Sequence, residues 1–409
     1  MSTDGEGRPR GPWRLILSRD FGTFFFARLT TSIGVWVHGI VAAIAAFETT
    51  GSGFFVGAVS AAQFVPQIIF GPLAGSWADR GSVQFQMMLG RAILALGSIS
   101  LGVWYLFFSH GSRNDDAIAI LLASAVAGIG LVIGGAAMQA TPPLLVSRAE
   151  LPTAMALSTA PMTIGRIAGP AAGALGIVLV GFGGTFVLAG VLSVVFLVLL
   201  ALVRFPSTGA RRAHMKNPMR EALAYIREDR PVLLALVAVT AIGMGTEPLM
   251  TLAPALASEL GGGTALVGTL LTGMGIGAAA GVLIGSAFAA RFKQEWAFLI
   301  GVLLLAASLV ACAVPLPELL VTALFVVAGF GFIITQTALG TIMQLRLPPH
   351  FRGRVMALWL IGFVGSRPIG GMLVGAVSDV WNVYFAFALA GLFLFGAAYV
   401  CRPSRLGAP

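Results

Sequence analysis

The chain has 409 residues, of which 57% are hydrophobic and only 10% are charged. About a quarter of the residues of soluble globular proteins are charged, so this composition excludes a soluble enzyme. The formal net charge of +9 therefore has to be interpreted from the positions of the 25 Lys and Arg residues along the chain.

Twelve apolar segments follow one another, and each is long enough to cross a bilayer as a helix, which takes about 20 residues. Open strands would leave backbone groups unpaired in lipid, and the segments lack the alternating pattern of a barrel. The sequence therefore predicts an all-α membrane protein with twelve transmembrane helices. The predicted spans are residues 20–47, 54–77, 86–108, 117–146, 153–181, 184–203, 231–258, 265–290, 296–313, 319–345, 355–379 and 383–401.

The basic residues outside the spans lie almost entirely on one side of the membrane. Apart from Arg113, they all belong to the terminal segments or to loops on the same side as the termini. By the positive-inside rule, we expect both termini and the 204–229 linker to be cytoplasmic, with the protein in an inner or plasma membrane. The basic residues form no concentrated face, so no nucleic-acid partner is expected.

The second half of the sequence repeats the first, and the matches keep their register. Examples are Gly34 on Gly245, Gly90 on Gly301, Gly130 on Gly331 and Arg166 on Arg367. Each copy holds six spans, an even number, so both enter the membrane in the same direction. The sequence predicts two pseudo-symmetric six-helix bundles. They are an N-terminal half (1–203) and a C-terminal half (230–409), joined by a cytoplasmic linker (204–229) with a short amphipathic helix that includes Met215, Met219, Ala222 and Ile226.

The loop between spans 2 and 3 contains a run of small and charged residues, from Gly71 through Gly75 and Asp79-Arg80 to Gly81. It resembles the loop motif of the major facilitator superfamily, whose members have the fold of two six-helix bundles. The resemblance implies that Gly75, Asp79 and Arg80 form a latch holding the two halves closed on the cytoplasmic side. The chain departs from the family pattern because Gly81 comes one position early and the basic residues that usually follow are missing.

Span 5 carries the run G-R-I-A-G-P-A-A-G at residues 165–173. This run resembles the motif associated with antiporters of the same superfamily, which are exporters. Gly165, Gly169 and Gly173 would let another helix approach closely, and Pro170 would bend the span. A stripe of small residues can also serve packing alone.

Further motifs along almost the whole chain resemble the branch of enterobactin-exporter-like and macrolide-efflux-like proteins. They include Phe26-Ala-Arg28 in span 1, Thr141-Pro-Pro143 at the end of span 4 and Phe351-Arg-Gly-Arg354 before span 11. In transporters of this kind the substrate site lies near the membrane midplane between the halves. The resemblance thus implies a transporter and not an enzyme.

Charged side chains inside a bilayer are costly, so those within the spans are candidate functional residues. Arg166 and Arg367 occupy equivalent mid-span positions, and helical spacing places each on the face of a small-residue stripe that we expect to face the other half. They would either join an interdomain polar network or contact an anionic or acceptor-rich substrate. Arg91 lies near a span end and is expected to snorkel in a structural role, whereas Arg28 would either line the cavity or snorkel. The cavity or interdomain candidates are Arg28, Trp36, Arg166, Arg367, Gln63, Gln67 and Gln336.

Glu247 is the acidic residue nearest the middle of a span, and the repeat places it opposite Trp36, close to His38. A carboxyl group there could bind and release a proton during transport, so Glu247 is the first candidate for proton coupling and His38 the second. Glu247 could instead be neutralised by a nearby Arg, or Glu247-Pro248 could simply mark a kink. The two cysteines have no metal-ligand spacing, so no metal site is expected.

These features together predict a proton-coupled exporter of amphipathic small molecules, such as drugs or siderophores, that works by alternating access. A lysophospholipid or metabolite carrier, or a transporter-like sensor that no longer transports, are the alternatives. No Gly-rich loop follows a strand, so ATP is not expected to drive it. The expected partners are the bilayer and a small-molecule substrate, and the protein is expected to be a monomer. No cofactor is expected, because the proton gradient would supply the driving force.

Overall fold

The computed structural model describes residues 10–109, 112–147, 149–205, 225–291 and 293–407; within these ranges the side chains of residues 79–80, 286–291, 349–354 and 357 are not described. Helices make up nearly all of this part of the chain, and no strand occurs in it. The prediction of an all-α protein is therefore confirmed.

The described helices follow the order of the predicted spans. In the first half they are α1 (Pro12–Ile16), α2 (Arg19–Thr50), α3 (Gly53–Arg80), α4 (Val83–Phe107), α5 (Arg113–Ala140), α6 (Pro142–Leu145), α7 (Leu151–Leu157) and α8 (Ala160–Leu202). In the second half they are α9 (Arg230–Gly245), α10 (Glu247–Thr251), α11 (Ala253–Glu259), α12 (Gly263–Arg291), α13 (Gln294–Ala311), α14 (Glu318–Arg346), α15 (Pro349–Val380), α16 (Val383–Val400) and α17 (Pro403–Leu406).

Eleven helical segments of the described chain are long and apolar enough to cross a membrane. One of them, Leu151–Leu202, has 52 residues, more than twice the length that one span needs. Gly181 interrupts α8 inside this segment with φ 69° and ψ −179°. The segment therefore supplies spans 5 and 6, and the described residues account for the twelve predicted spans.

Two predicted spans are less regular than their hydropathy indicates. Span 7 is divided into α9, α10 and α11, with the breaks at Thr246 and Leu252. Pro248 and Pro254 lie in the first turns of α10 and α11, where a helix does not need the missing N–H. Span 4 ends at Ala140, not at residue 146, because two prolines start the separate helix α6 there. The sequence left open that Glu247-Pro248 marks a kink, and the break at Thr246 shows that the span is interrupted there.

Contacts between residues divide the chain into two compact units. The first unit is Met1–Ala45 with Val65–His214, and the second is Ala46–Phe64 with Met215–Pro409. The end of α2 and the start of α3 thus belong to the second unit, although they lie in the first half of the sequence. Residues 206–224, and with them most of the predicted linker helix, lie outside the described residues.

Two helices cross closely at glycines in each unit, and the glycines of one crossing occupy positions equivalent by the repeat to those of the other. In the first unit, α4 and α5 meet at Gly90 and Gly130, and a Cβ on Gly130 would lie 2.5 Å from the carbonyl oxygen of Gly90. In the second, α13 and α14 meet at Gly301 and Gly331, where the corresponding distance is 2.6 Å. Real Cβ atoms do not come so close to backbone oxygens, so both crossings require glycine.

Candidate functional site

A buried ion pair joins α10 and α15 inside the second unit. Arg367 Nε lies 2.5 Å from Glu247 Oε1, and Thr251 Oγ1 donates a hydrogen bond of 3.2 Å to Glu247 Oε2. The Glu247 side chain is fully buried, whereas that of Arg367 is 19% exposed. The sequence left open whether a nearby Arg neutralises Glu247, and this contact shows that one is in place.

The local backbone explains how the carboxylate comes to lie there. The chain breaks at Thr246, so Glu247 is the first residue of α10 instead of an interior residue of one long helix. On the facing helix α15, Gly371 follows Arg367 by one turn, and a Cβ there would lie 3.2 Å from Thr251 Oγ1 and 3.4 Å from Glu247 Oε2. Gly371 therefore packs directly against the carboxylate and the hydroxyl group that donates to it.

Arg367 has a third contact, with the beginning of α3. Its guanidinium carbon lies 4.7 Å from the centre of the Phe64 ring, which is within the range of a cation–π interaction. Gly57, two turns earlier in α3, packs against Gly371 backbone to backbone. Arg367 therefore links α15 to both α10 and α3 within the second unit. Gln63 and Gln67 are part-exposed residues of α3, and their roles stay predictions.

A second carboxylate in this unit tethers α3 to α15. Asp379 Oδ1 accepts a hydrogen bond of 2.6 Å from the Gly53 backbone N–H, and its Oδ2 accepts bonds from Ser52 Oγ at 2.6 Å and the Phe54 N–H at 3.1 Å. A side chain from the end of one helix thus caps the start of another. Nearby, Thr264 Oγ1 donates to Glu48 Oε1 at 3.1 Å.

In the first unit, Arg166 lies beside Trp36. Its guanidinium carbon is 5.6 Å from the centre of the Trp36 ring. The glycines of the antiporter-type motif pack against α2 on the same side: Gly165 meets Ser32, and Gly169 meets Trp36. This stripe was expected to face the other half. That expectation is wrong, because its glycines pack against α2 of the same unit. Pro170 and Gly173 complete the buried face, with Gly173 against Val41.

The corresponding stripe of α15 behaves differently. Gly370 packs against Met244 of α9, while Gly371 and Gly375 pack against Gly57 and Gly53 of α3. α3 lies in the first half of the sequence and α15 in the second. This stripe therefore does contact a helix from the other half of the sequence. The two motif copies therefore occupy equivalent positions but have different partners.

Arg91 and Arg28 lie in the helices α4 and α2 of the first unit. Arg91 is only 5% exposed, and its Nη2 lies 3.6 Å from Met138 Sδ. The prediction that it snorkels to the membrane surface is wrong, because the side chain is enclosed by protein. Arg28 Nη2 donates a hydrogen bond of 3.1 Å to Gln139 Oε1.

His38, the second candidate for proton coupling, is also buried in the first unit. Its Nδ1 lies 3.0 Å from Ser98 Oγ, and its ring makes an edge contact with Phe186. Nε2 has no hydrogen-bond partner among the described residues. Gln336 in α14 has a buried Oε1 that likewise lacks a partner in the described part of the chain.

Two further predictions concern the cytoplasmic latch motif and the absence of a metal site. The side chains of Asp79 and Arg80 in the predicted latch are outside the described ones, and Gly75 has no neighbour close to where a Cβ would be. Among the described residues, no three His, Cys, Asp or Glu side chains are grouped so that they could hold a metal ion.

Sequence reasoning missed Asp379, Phe64 and Gln139 as contact residues. Their partners lie far away along the chain, and no spacing rule connects such positions. Thr251 could have been found, because it follows Glu247 by four residues and that spacing brings side chains together on a helix.

A family model described as transmembrane secretion effector matches residues 11–408. The chain belongs to this family of major facilitator transporters. Among its relatives, the multidrug efflux pump Tap of Mycolicibacterium fortuitum is 27% identical, with 96% of each chain covered. Macrolide efflux protein A of Streptococcus pyogenes is 24% identical, covering 87% of this chain and 88% of the relative. The enterobactin exporter EntS of Escherichia coli O1:K1 / APEC is 26% identical, covering 91% and 89%.

Solved structures confirm the fold of this family member. A crystal structure of a mutant of the nucleoside transporter NupG superimposes with a TM-score of 0.77 at 13% identity, over 93% of this chain and 99% of that one. At this identity the likeness concerns the fold alone. The resemblance that the motifs predicted, to major facilitator transporters of the enterobactin-exporter-like and macrolide-efflux-like branch, is thus confirmed, and family and fold are those of multi-span membrane transporters.

Proposed function

We propose that this protein is a proton-coupled exporter of amphipathic small molecules, such as drugs or siderophores, that works by alternating access. The family and the efflux relatives support export of such compounds. The observation that carries the coupling proposal is the buried pair of Glu247 and Arg367. A membrane-buried ionisable pair is costly to maintain, and such pairs mark proton relays in pumps and transporters.

The pair provides a physical route from a proton to a conformational change. While Glu247 is ionised, it attracts Arg367, which also lies over Phe64 and so connects α10, α15 and α3. A proton on Glu247 cancels this attraction, and Arg367 can then leave the carboxyl group. Proton binding therefore favours a state in which these helices are parted, and proton release favours the paired state.

His38 is the second candidate, and its surroundings suit proton exchange less well. It is enclosed by Ser98 and Phe186, and no ion pair with a described residue would change when it took up a proton. We therefore expect His38→Gln to affect coupling less than Glu247→Gln does. We further propose that the protein is a monomer in the bacterial inner or plasma membrane and that both its termini are cytoplasmic. The proton gradient would drive transport without a cofactor.

Transport by the purified protein in liposomes tests the proposal. A pH gradient is imposed, and movement of a fluorescent dye, a macrolide and a catecholate siderophore is followed, together with exchange of the same compound at equal pH. Glu247→Gln should reduce gradient-driven transport at least about tenfold and keep exchange, because the substituted amide cannot release a proton. Glu259→Gln, an exposed glutamate at the end of α11, is the matched control and should behave as the wild type.

Three results would contradict parts of the proposal. Undiminished gradient-driven transport by Glu247→Gln would remove this residue from coupling. Transport by the wild type that ignores the pH gradient would remove proton coupling altogether. The absence of transport for all three compounds would leave the exporter function without support.

A further inference from the structure

The first unit contains a cationic cluster that the coupling proposal does not use. It consists of Arg28, Arg91 and Gln139, from α2, α4 and α5. Arg28 Nη2 donates to Gln139 Oε1 at 3.1 Å, and Arg91 lies beside Met138 Sδ at 3.6 Å and 5.8 Å from the centre of the Phe196 ring. Of the two arginines, Arg91 is the deeper, with 5% of its surface exposed.

The charges of this cluster are not balanced within the described part of the chain. Neither Arg28 nor Arg91 forms an ion pair there, in contrast to Arg367. Arg28 Nη1 and both Nε and Nη1 of Arg91 are buried without a hydrogen-bond acceptor in that part of the protein. The two guanidinium charges also repel each other. An arginine cannot become neutral by losing its proton, so only an anion can remove the cost of burying two such cations.

We infer that Arg28, Arg91 and Gln139 bind the oxyanion headgroup, a carboxylate or a phosphate, of an amphipathic ligand. The guanidinium N–H groups of Arg28 and Arg91 that have no acceptor in the described part of the chain can each donate a charge-assisted hydrogen bond to an oxygen of such a group. Phe196 and Met138 supply an apolar wall beside the charge. Gln139 is exposed and Arg28 part-exposed, so the cluster can be reached from that side.

If the bound ligand is the transported compound, that compound carries an acidic group. Only this identification of the ligand as cargo rests on the proposed function. The binding itself needs neither a pH gradient nor Glu247. A headgroup of this chemistry can belong to a soluble amphiphile or to a membrane lipid, and the two sources can be separated by competition.

The experiment measures binding to the purified full-length protein in micelles of an uncharged detergent at fixed ionic strength. Laurate and dodecyl phosphate are the anionic probes, and dodecyltrimethylammonium is a cationic probe with the same hydrocarbon chain. Titration calorimetry should show that both anions bind at least about tenfold more tightly than the cation. Arg28→Gln and Arg91→Gln should each weaken anion binding about tenfold to a hundredfold, as expected for a lost charge-assisted hydrogen bond.

Three control variants separate this effect from misfolding and from coupling. Arg113→Gln removes an exposed arginine at the start of α5 and should bind as the wild type. Arg91→Lys keeps the charge and should keep the preference for anions. Glu247→Gln should bind laurate like the wild type, so that failure of proton coupling and failure of this site are distinguishable.

The melting temperature without added anion gives a second readout. Because Arg91 has no counter-charge among the described side chains, Arg91→Gln should leave that temperature unchanged or raise it. Displacement of laurate by phosphatidylglycerol would make a lipid headgroup the occupant, and its failure to displace laurate would make the occupant a soluble amphiphile. Equal binding of anion and cation, or undiminished anion binding by folded Arg28→Gln and Arg91→Gln, would overturn the inference.

Discussion

At the level of single residues, Glu247 has two polar partners, Arg367 and Thr251, and is completely enclosed. Removing Arg367 alone would leave a buried carboxylate whose one remaining polar partner among the described residues is the Thr251 hydroxyl. Breaking a buried ion pair in this way typically costs about 3–5 kcal/mol, whereas removing both charges costs much less. The pair is thus a constraint on the protein as well as a candidate switch.

A double-mutant cycle tests this constraint. We expect Arg367→Met to lower the free energy of unfolding by about 3–5 kcal/mol, and Arg367→Met combined with Glu247→Gln to lower it clearly less. The measurement is denaturant unfolding in micelles, with Arg402→Met, an exposed arginine after α16, as the control. A loss in the double variant equal to the sum of the losses in Arg367→Met and in Glu247→Gln alone would show that the two side chains are not coupled.

Glu150, in the segment between α6 and α7, fixes the N-terminal arm. Arg10 Nε lies 2.6 Å from Glu150 Oε1, and Ser147 Oγ donates to Oε2 at 2.8 Å. The hydrogen bond from Arg10, assisted by those from Ser147 and opposed by burial, lowers the pKa of Glu150 from 4.5 to about 2. The ionised carboxylate therefore holds α1 close to α7.

This shift predicts how the arm responds to acid. Since the folded state has the lower pKa, the stabilisation by Glu150 is complete above about pH 4.5 and is lost as the pH falls toward 2. Hydrogen exchange of residues 11–17, corrected for intrinsic rates, should show easier opening across this window. Glu150→Gln should open readily at every pH in the window, and Glu318→Gln, an exposed glutamate in α14, should leave the acid response intact. A wild-type arm that opens equally at pH 6 and pH 3 would disprove the assignment.

At the level of elements, Gly181 separates spans 5 and 6 within α8. Its φ of 69° and ψ of −179° lie in a region open essentially only to glycine. No atom lies within 4 Å of where its Cβ would be, so the backbone conformation and not lack of space selects glycine. The turn between the two spans is therefore made by one residue.

Replacing this glycine should disturb the turn. We expect Gly181→Ala to destabilise the protein by about 1–3 kcal/mol through backbone strain. Gly396→Ala is the matched control, because Gly396 also has open space around it but lies in regular helix α16. There alanine should be neutral or stabilise by up to about 1 kcal/mol. Thermal unfolding of both variants checks the prediction, and equal melting temperatures would contradict it.

Hydropathy predicted where the spans lie, but not how continuous they are. A window of apolar residues shows that a segment fits the bilayer, and it does not show that new helices begin within span 7, with Pro248 and Pro254 in their first turns. The stripe at Gly165 and Gly169 was recognised as a contact face, yet its partner was not, because small residues indicate close approach without naming the helix that approaches.

At the level of the whole molecule, the internal repeat was the most informative sequence feature. It matched Gly90 to Gly301 and Gly130 to Gly331, and the structure brings Gly90 against Gly130 in one unit and Gly301 against Gly331 in the other. The repeat could not predict that Arg367 pairs with Glu247, because its counterpart Arg166 lies beside Trp36. Positions equivalent by repeat have acquired different chemistry, which only the contacts reveal.

The proposed orientation can be tested with single cysteines. The two native cysteines, Cys312 and Cys401, are 1% and 0% exposed, so an impermeant maleimide should not label the wild type in intact cells. Ser112→Cys and Ser404→Cys each add one exposed thiol. Because basic loops stay inside, we expect the Ser112→Cys variant to be labelled in intact cells and the Ser404→Cys variant only after permeabilisation. The reverse result would invert the topology.

The tether formed by Asp379 also bears on how this family could be recombined. Residues Ala46–Phe64 belong to the second unit, and Ser52, Gly53 and Phe54 hold the Asp379 carboxylate there. A chimera that joins the first half of one relative to the second half of another at the linker would separate these partners into different parents. A chimera in which residues 46–64 come from the same parent as the second half would keep the tether. The suitable crossover points therefore lie within α2 and α3 and not in the linker.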